Sequence, residues 1–289
     1  MRLPPVTLAA LWMGGALVSF MAMAVSGREL AGQLSTFQIL FFRSLVGVAV
    51  IGALAWRAGL DVIRPHSFGV HLVRNTAHFI GQLGWFYGIA FIPLAEVFAI
   101  EFTTPVWTGI LAVFLLGEKL TRPRVLAIGL GFVGILVILR PGFEIVSLAA
   151  LAVLVGALGY ATSHTLTKRL TRDNAALGIL FYMTLIQLPM GFVPSLIDWA
   201  WPVGLHGWFW VSVVGVTAMS AHFCMVKAFA QTDATVVVPM DFLRLPLIAL
   251  VGFLFYAEAV DWWLLLGGGF ILAGNLINIR AEKAKAGKG

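Results

Sequence analysis

The sequence predicts an all-α polytopic membrane protein: ten transmembrane helices forming two inverted five-helix repeats around a central cavity, with both termini in the cytoplasm. Three observations predict it. The composition suits lipid: of 289 residues, 60% are hydrophobic and 11% charged, with a mean hydropathy of +0.96. An ordinary soluble domain is about 45–50% apolar and about 25% charged. The apolar residues fall into ten runs of spanning length, and the second half repeats the first at a constant offset. The 19 basic and 13 acidic residues cannot cover a 31.2 kDa surface. This excludes a soluble enzyme, a nucleic-acid binder and a secreted module. The net charge of +6 therefore reports orientation in a membrane, not a nucleic-acid partner. A single cysteine, Cys224, excludes an internal disulfide or a cysteine-based metal cluster and reads as a small packed hydrophobe.

The spans follow in order. The first, 5–26, opens at Pro4-Pro5. Its apolar stretch of about 22 residues exceeds the about 7–15 of a signal peptide, and no small-residue cleavage site follows, so it stays in the mature chain. The next are 35–56, 70–91 and 94–117, the last preceded by Pro93. Pro123 starts 123–140, and Arg140-Pro141-Gly142 ends it. The remaining spans are 147–168, 175–197, 206–229, 234–256 and 261–280. An even number of spans puts both termini on one side. That side holds Arg2, Arg57, Arg64, Lys119, Arg122, Arg124, Lys168, Arg169, Arg172, Arg280, Lys283, Lys285 and Lys288, against Arg28 and Arg140 opposite. Thirteen against two makes it the cytoplasmic side of an inner, plasma membrane. The basic tail, 281–289, then lies against the anionic inner leaflet.

Sliding the sequence by 140 residues divides it into a first repeat, 1–142, and a second, 143–280. Glu101 falls on Asp241, Phe102 on Phe242, Glu118 on Glu258, Gly129 on Gly269, Gly134 on Gly274 and Arg140 on Arg280. Gln82 falls on His222 and Phe20 on Tyr160. Five helices is an odd number, so the second copy enters the bilayer from the opposite side. Inverted repeats exchange conformations and let a midplane site open to one face and then the other, the architecture of secondary transporters.

The segment Pro105-Val106-Trp107-Thr108 through Leu116-Gly117-Glu118-Lys119-Leu120-Thr121, followed by Gly129-Leu-Gly-Phe-Val-Gly-Ile, resembles the EamA family of the drug/metabolite transporter superfamily. The resemblance covers essentially the whole chain. The second half diverges: Phe255-Tyr256-Ala257-Glu258 replaces the Leu-Leu-Gly-Glu form, and Pro246 sits one position off Pro105 in the repeat frame. The resemblance implies a helical bundle with a central cavity and export of amino acids or related metabolites. It is strongest toward the YddG-type amino-acid exporters and extends to nucleoside, cofactor and drug carriers.

Ionisable groups are costly in hydrocarbon and face the bundle interior or a water-filled cavity. The candidates for substrate binding or gating are Arg43, Glu101, Asp241, Arg244, His78, Gln82, His164 and His222. Arg74, His78 and Gln82 share one helical face at four-residue spacing, which lines either the cavity or a helix contact. Arg74 alternatively snorkels to the cytoplasm. Glu101 and Asp241 are repeat mates, read as gates, proton sites or substrate-amine ligands. The alternative is structural ion pairing, Glu101 with Arg43 and Asp241 with Arg244. Phe20 and Tyr160 are the aromatic candidates, again as repeat mates. Pro105, Pro239 and Pro246 are expected to kink their helices beside Glu101 and Asp241. Trp199, Trp201, Trp208, Trp210, Trp262 and Trp263 read as an interfacial belt. The glycines of 123–140 and 261–280 read as helix-contact or oligomer surfaces.

No zincin, phosphate-loop or nucleophile-elbow motif occurs. The expectation is a non-enzymatic carrier, monomer or homodimer, without cofactor or metal. Its partners are a small-molecule substrate and the bilayer. Mixed charge signs at depth, with many aromatics, suit a zwitterion with a variable side chain, hence amino-acid export. An exporter of cationic drugs, nucleosides or a cofactor-like metabolite is the second reading; a channel or intramembrane enzyme is the remote one.

Overall fold

The computed structural model describes residues 4–64, 66–116, 121–140, 146–171, 173–229, 231, 237, 240–259 and 261–286. These form α1 (Pro5–Ala31), α2 (Thr36–Ala58), a 3-10 turn (Leu60–Ile63), α3 (Phe68–Phe91), α4 (Leu94–Glu101), α5 (Thr104–Leu116) and α6 (Arg122–Leu139). They continue with α7 (Leu148–Leu170), α8 (Ala176–Ser195), α9 (Gly204–Phe229), α10 (Arg244–Tyr256) and α11 (Trp262–Ala286). Among the described residues every regular element is helical. In lipid that is how a chain satisfies its own backbone groups.

Among the described residues eight helical segments are long and apolar enough to cross a membrane, one of them the 94–111 stretch that contains a break. The chain is a multi-pass membrane protein, and large hydrophobics such as Leu11, Val18, Trp56, Phe114, Leu136 and Leu205 stand exposed on its outside. Trp201, Trp208, Trp262 and Trp263 are exposed as well, whereas Trp199 and Trp210 pack against the core. α3 falls outside the apolar set despite its 24 residues, because His71, Arg74, Asn75, His78 and Gln82 occupy one of its faces. All five side chains are buried. A polar stripe makes this helix a poor lipid-facing span and a good central one.

Two expected spans differ. The run 94–117 is not one helix but α4 and α5. Of 234–256, α10 begins only at Arg244, after Met240 and Asp241. At the other end of the chain, α11 continues through Ala286 into the stretch read as a separate tail.

Loop contacts sort the bundle into two ends. His66 N–H donates to Asn174 Oδ1 at 2.9 Å, and Tyr182 Oη donates to the Ile63 carbonyl at 2.9 Å. The first joins the connection after the 3-10 turn to the one before α8, and the second ties α8 to that turn, at the end where α1 begins and α11 finishes, the near end. At the far end, Gln38 Nε2 donates to the Ala200 carbonyl at 2.9 Å, and Arg28 Nη2 to that of Ile92 at 2.6 Å. A reciprocal capping box of Ser35 and Gln38 fixes the start of α2 there.

The main helix contacts are α3 with α7, α1 with α9, α6 with α11 and α2 with α8, followed by α5 with α7 and α2 with α9; α4 also meets α10. An offset of 140 residues carries α1 onto α7 and α3 onto α9. The α1–α9 contact thus becomes the α7–α3 contact, while α2–α8 and α6–α11 each map onto themselves. Glycines bring the last pair together: a Cβ on Gly134 would stand 2.6 Å from the Gly267 carbonyl oxygen, and one on Gly267 2.7 Å from that of Gly134. The glycine-rich faces of these two helices serve each other.

Candidate functional site

The site grows from two helix breaks. α4 ends at Glu101 and α5 starts at Thr104; the matching residues are Asp241 and Arg244. Pro105 is the second residue of α5 and Pro246 the third of α10. Each proline sits in the first turn of a new helix, where its missing N–H has no intrahelical acceptor to lose. The expected kinks are therefore full breaks; Pro239 lies outside the described residues. A hydroxyl takes up the carbonyl that Pro105 cannot serve: Thr104 Oγ1 donates to Glu101 O at 2.6 Å, while Thr103 donates to Ile100 O through both its N–H at 3.0 Å and its Oγ1 at 2.7 Å. The breaks face one another, with the Phe102 and Phe242 rings stacked at 4.2 Å and 17°.

Charge collects beside this stack. Arg244, 4% exposed, donates through Nη2 to Asp241 Oδ2 at 2.7 Å, and its Nη1 lies 3.6 Å from Glu101 Oε1. Trp85 Nε1 holds the other oxygen of Glu101 at 2.8 Å. The Arg244 guanidinium also lies 4.4 Å from the Phe20 ring centre and 4.9 Å from that of Phe102. One cation thus serves both acidic repeat mates. The Asp241–Arg244 pair is formed as the sequence spacing allowed. The Glu101–Arg43 pair is not: Arg244, from the opposite break, lies closer and takes Glu101 instead.

Arg43, 2% exposed on α2, meets Gln82. With the Gln82 amide oriented so that both its atoms are satisfied, its oxygen accepts from Arg43 Nη1 at 2.6 Å and Nη2 at 2.9 Å. Its nitrogen then donates to Gln187 Oε1 at 3.0 Å. Gln187 Nε2 donates in turn to the Asn75 carbonyl at 3.1 Å and lies 3.0 Å from His78 Nδ1. Close packing of α3 on α7 supports this network. A Cβ on Gly156 would lie 2.9 Å from the Gly81 carbonyl oxygen, and one on Gly81 would lie 2.6 Å from Tyr160 Cδ1. Tyr160 is therefore seated over a glycine, its ring 5.4 Å from that of His78.

A cavity of about 600 Å³ joins these parts. Phe20, Arg43, His78, Gln82, Glu101, Tyr160, His164, His222, Asp241 and Arg244 all line it, as does Pro105; Pro246 does not. Arg74 does not reach it and does not snorkel. It is 6% exposed and donates to Thr167 Oγ1 at 3.0 Å and Asn75 Oδ1 at 2.7 Å, tying α3 to α7. Sequence reasoning missed Trp85, Phe86, Phe102, Phe242 and Thr104, all in the lining. The offset that matched Phe102 to Phe242 was the available signal for those two. Arg124, counted among the orienting charges, is 7% exposed and lines the cavity near the start of α6. With Arg124, His164, Thr165 and Asn278 in its wall, the cavity runs from the breaks toward the near end.

Ion pairs and hydrogen bonds cross the far end. Arg28 Nη1 lies 3.1 Å from Glu258 Oε1, and Glu258 Oε2 accepts from the Leu94 N–H at 2.9 Å, at the positive start of α4. Tyr256 donates to Glu29 at 2.8 Å, and Arg140 pairs with Asp261 at 2.9 Å. Among the described residues no group of three His, Cys, Asp or Glu side chains could hold a metal ion.

The chain is 27% identical over 272 residues to an S-adenosylmethionine uptake transporter of Rickettsia felis, covering 94% of this chain and 92% of that protein. It is 31% identical over 233 residues to a riboflavin transporter of Rhizobium johnstonii, covering 80% and 77%. To a pseudopaline exporter of Pseudomonas aeruginosa it is 26% identical over 270 residues, covering 92% and 93%. None of these three is named as an amino-acid exporter. A protein solved by crystallography superposes with a TM-score of 0.66 at 18% identity over 93% of this chain and 96% of its own, which shows a shared fold. The EamA-like transporter pattern is matched twice, over residues 7–140 and 147–280, and by that double match the chain belongs to the EamA-like transporter family.

Proposed function

We propose that this protein is an inner-membrane secondary carrier that exports a small zwitterionic metabolite, an amino acid or an amino-acid-bearing cofactor, by alternating access between two inverted halves. The observation that carries the reading is the charge pattern of one cavity. Glu101 and Asp241 share Arg244 at the paired helix breaks, while Arg43 lines the same space with only a neutral acceptor. An anion carrier would want cations alone and a drug-cation carrier carboxylates alone; this cavity presents both signs, Arg43, Arg124 and Arg244 with Glu101 and Asp241. Its size falls in the about 300–1,000 Å³ range of small-molecule sites. S-adenosylmethionine, which the Rickettsia relative is named for, has this chemistry: an amino-acid head on a nucleoside. The state seen here opens toward the end carrying the termini, and the excess of basic residues supports placing that end in the cytoplasm, where an exporter loads.

A second reading, a flat ring cofactor such as riboflavin, has its own observation. Phe20, His222, His78, Tyr160 and His164 form a continuous aromatic wall with ring centres 5.4–6.4 Å apart. Counterflow into proteoliposomes separates the two. Saturable exchange of labelled S-adenosylmethionine or phenylalanine, with ethidium and riboflavin inert, is the expected result. Exchange of riboflavin alone would replace the first reading by the second, and a linear conductance would remove the carrier altogether.

A further inference from the structure

We infer that Arg43 is the substrate-carboxylate clamp of the cavity, held for that purpose by Gln82; the inference rests on the zwitterion reading above and assigns one end of the substrate to one residue. Arg43 lies eight residues past the Ser35 cap, about 12 Å along α2 at about 1.5 Å per residue. It is 2% exposed, and among the described residues no carboxylate comes within 4.0 Å of it. Both terminal nitrogens converge on the single oxygen of Gln82, and among the described residues Nε has no hydrogen-bond partner.

This is an unusual condition for a buried guanidinium. Removing such a charge from water is costly unless a counter-charge and full hydrogen bonding offset it. Arg244, in the same cavity, receives two carboxylates; Arg43 receives an amide. The cavity is therefore polarised. The cluster at the breaks sets two carboxylates, Glu101 and Asp241, on one guanidinium, while Arg43 stands apart from it and Arg124 lies toward the near end, with Tyr160 and His222 in the wall of the same space. A planar five-donor fork with a free edge is the group that takes a carboxylate in bidentate fashion. Gln82 cannot turn away, because Gln187 holds its nitrogen and is itself tied to the Asn75 carbonyl. The amide thus fixes the fork without neutralising it. The substrate's carboxylate completes Arg43, and its cationic group faces Glu101 and Asp241.

The test uses two probe pairs that differ in the carboxylate alone: phenylalanine with phenethylamine, and S-adenosylmethionine with its decarboxylated form. Binding to the detergent-purified protein and counterflow in proteoliposomes are both measured. Wild type should prefer the acid of a pair by roughly tenfold or more, the size of effect expected when one partner of a buried charge pair is deleted. Arg43→Gln should abolish that preference, and Arg43→Lys should restore part of it. Gln82→Glu supplies an internal carboxylate to the same fork. It should stabilise the fold, raising the melting temperature, and yet lose the preference, which covers the case in which Arg43→Gln fails to fold. If either Arg43→Gln or Gln82→Glu keeps the wild-type preference, Arg43 is no clamp. If wild-type protein binds neither acid, the zwitterion reading falls first and takes the clamp with it.

Discussion

Arg244 carries two carboxylates that lie 140 positions apart in the chain, and the state of the site turns on that one side chain. Replacing it by Gln strands Glu101 and Asp241, each under a fifth exposed, without their cation. Breaking a buried pair by removing one partner costs about 3–5 kcal/mol. Arg244→Gln should therefore lower the unfolding temperature in detergent, and adding Asp241→Asn should recover part of the loss, since it removes one stranded charge. Additive losses in the double variant would show that the two residues are uncoupled. Gly81 offers a second residue-scale test. Any side chain there must displace the Tyr160 ring, 2.6–3.0 Å away, toward the cavity. Gly81→Ala should raise the KM for a bulky substrate several-fold and leave that for a small one nearly unchanged; equal effects on both would mean the ring does not border the substrate. The charged members of the site were legible because an ionisable residue in an apolar span stands out. Trp85 and Gln187 were not, because one tryptophan among ten and one amide among several polar groups carry no label. Their importance comes only from which atoms they reach. Arg43 shows the same limit: its depth could be read from the chain, its partner could not.

At the scale of elements, the breaks decide where these residues meet. Length and apolarity establish that a stretch crosses a membrane and say little about its continuity, so 94–117 read as one helix. The prolines pointed to the region but not to the form of the distortion. Inside a continuous helix, Pro105 would cost about 3 kcal/mol; as the second residue of α5 it costs little, and the Thr104 hydroxyl already satisfies the Glu101 carbonyl. Pro105→Ala should consequently change thermal stability by less than about 1 kcal/mol, whereas Thr104→Val, which frees that carbonyl, should cost about 1–3 kcal/mol. The reverse order, measured by thermal unfolding in detergent, would mean that proline strain and not hydroxyl capping keeps the two helices apart. The α3 stripe is the complementary case. Its four-residue spacing was plain in the sequence, but its division of labour was not. His78 and Gln82 face the cavity, while Arg74 is drawn to α7 by Thr167, a neighbour that no periodicity could name.

For the whole molecule, the alternating access proposed above would require the far end to open as the near end closes. The contacts that must break are on view: Glu258 bridges Arg28 on α1 and the first N–H of α4, at the foot of the helix that ends in Glu101. A carboxylate that neutralises a cation and caps a helix start gains twice from closure, so removing its charge should release that end. Glu258→Gln should shift the population toward the state open at the far end. A single cysteine in place of Met23, which lines the cavity, reports this in a Cys224→Ser background. A membrane-impermeant thiol reagent applied outside intact cells should label it slowly in the parent and several-fold faster in the Glu258→Gln variant. The repeat adds a sign to the prediction. The offset of 140 carries Arg28 onto Lys168 and Glu258 onto Glu118, so the chain holds a second basic–acidic pair in the matching register. If the halves exchange conformations, that pair does for the near end, in the opposite state, what Arg28 and Glu258 do for the far end here. Glu118→Gln should then slow labelling of the same cysteine, because it destabilises the outward-open state, and the two substitutions together should return the rate toward the parent's. Acceleration by both single variants would mean that the two pairs merely brace loops, and that the mirrored sequence does not extend to a mirrored motion.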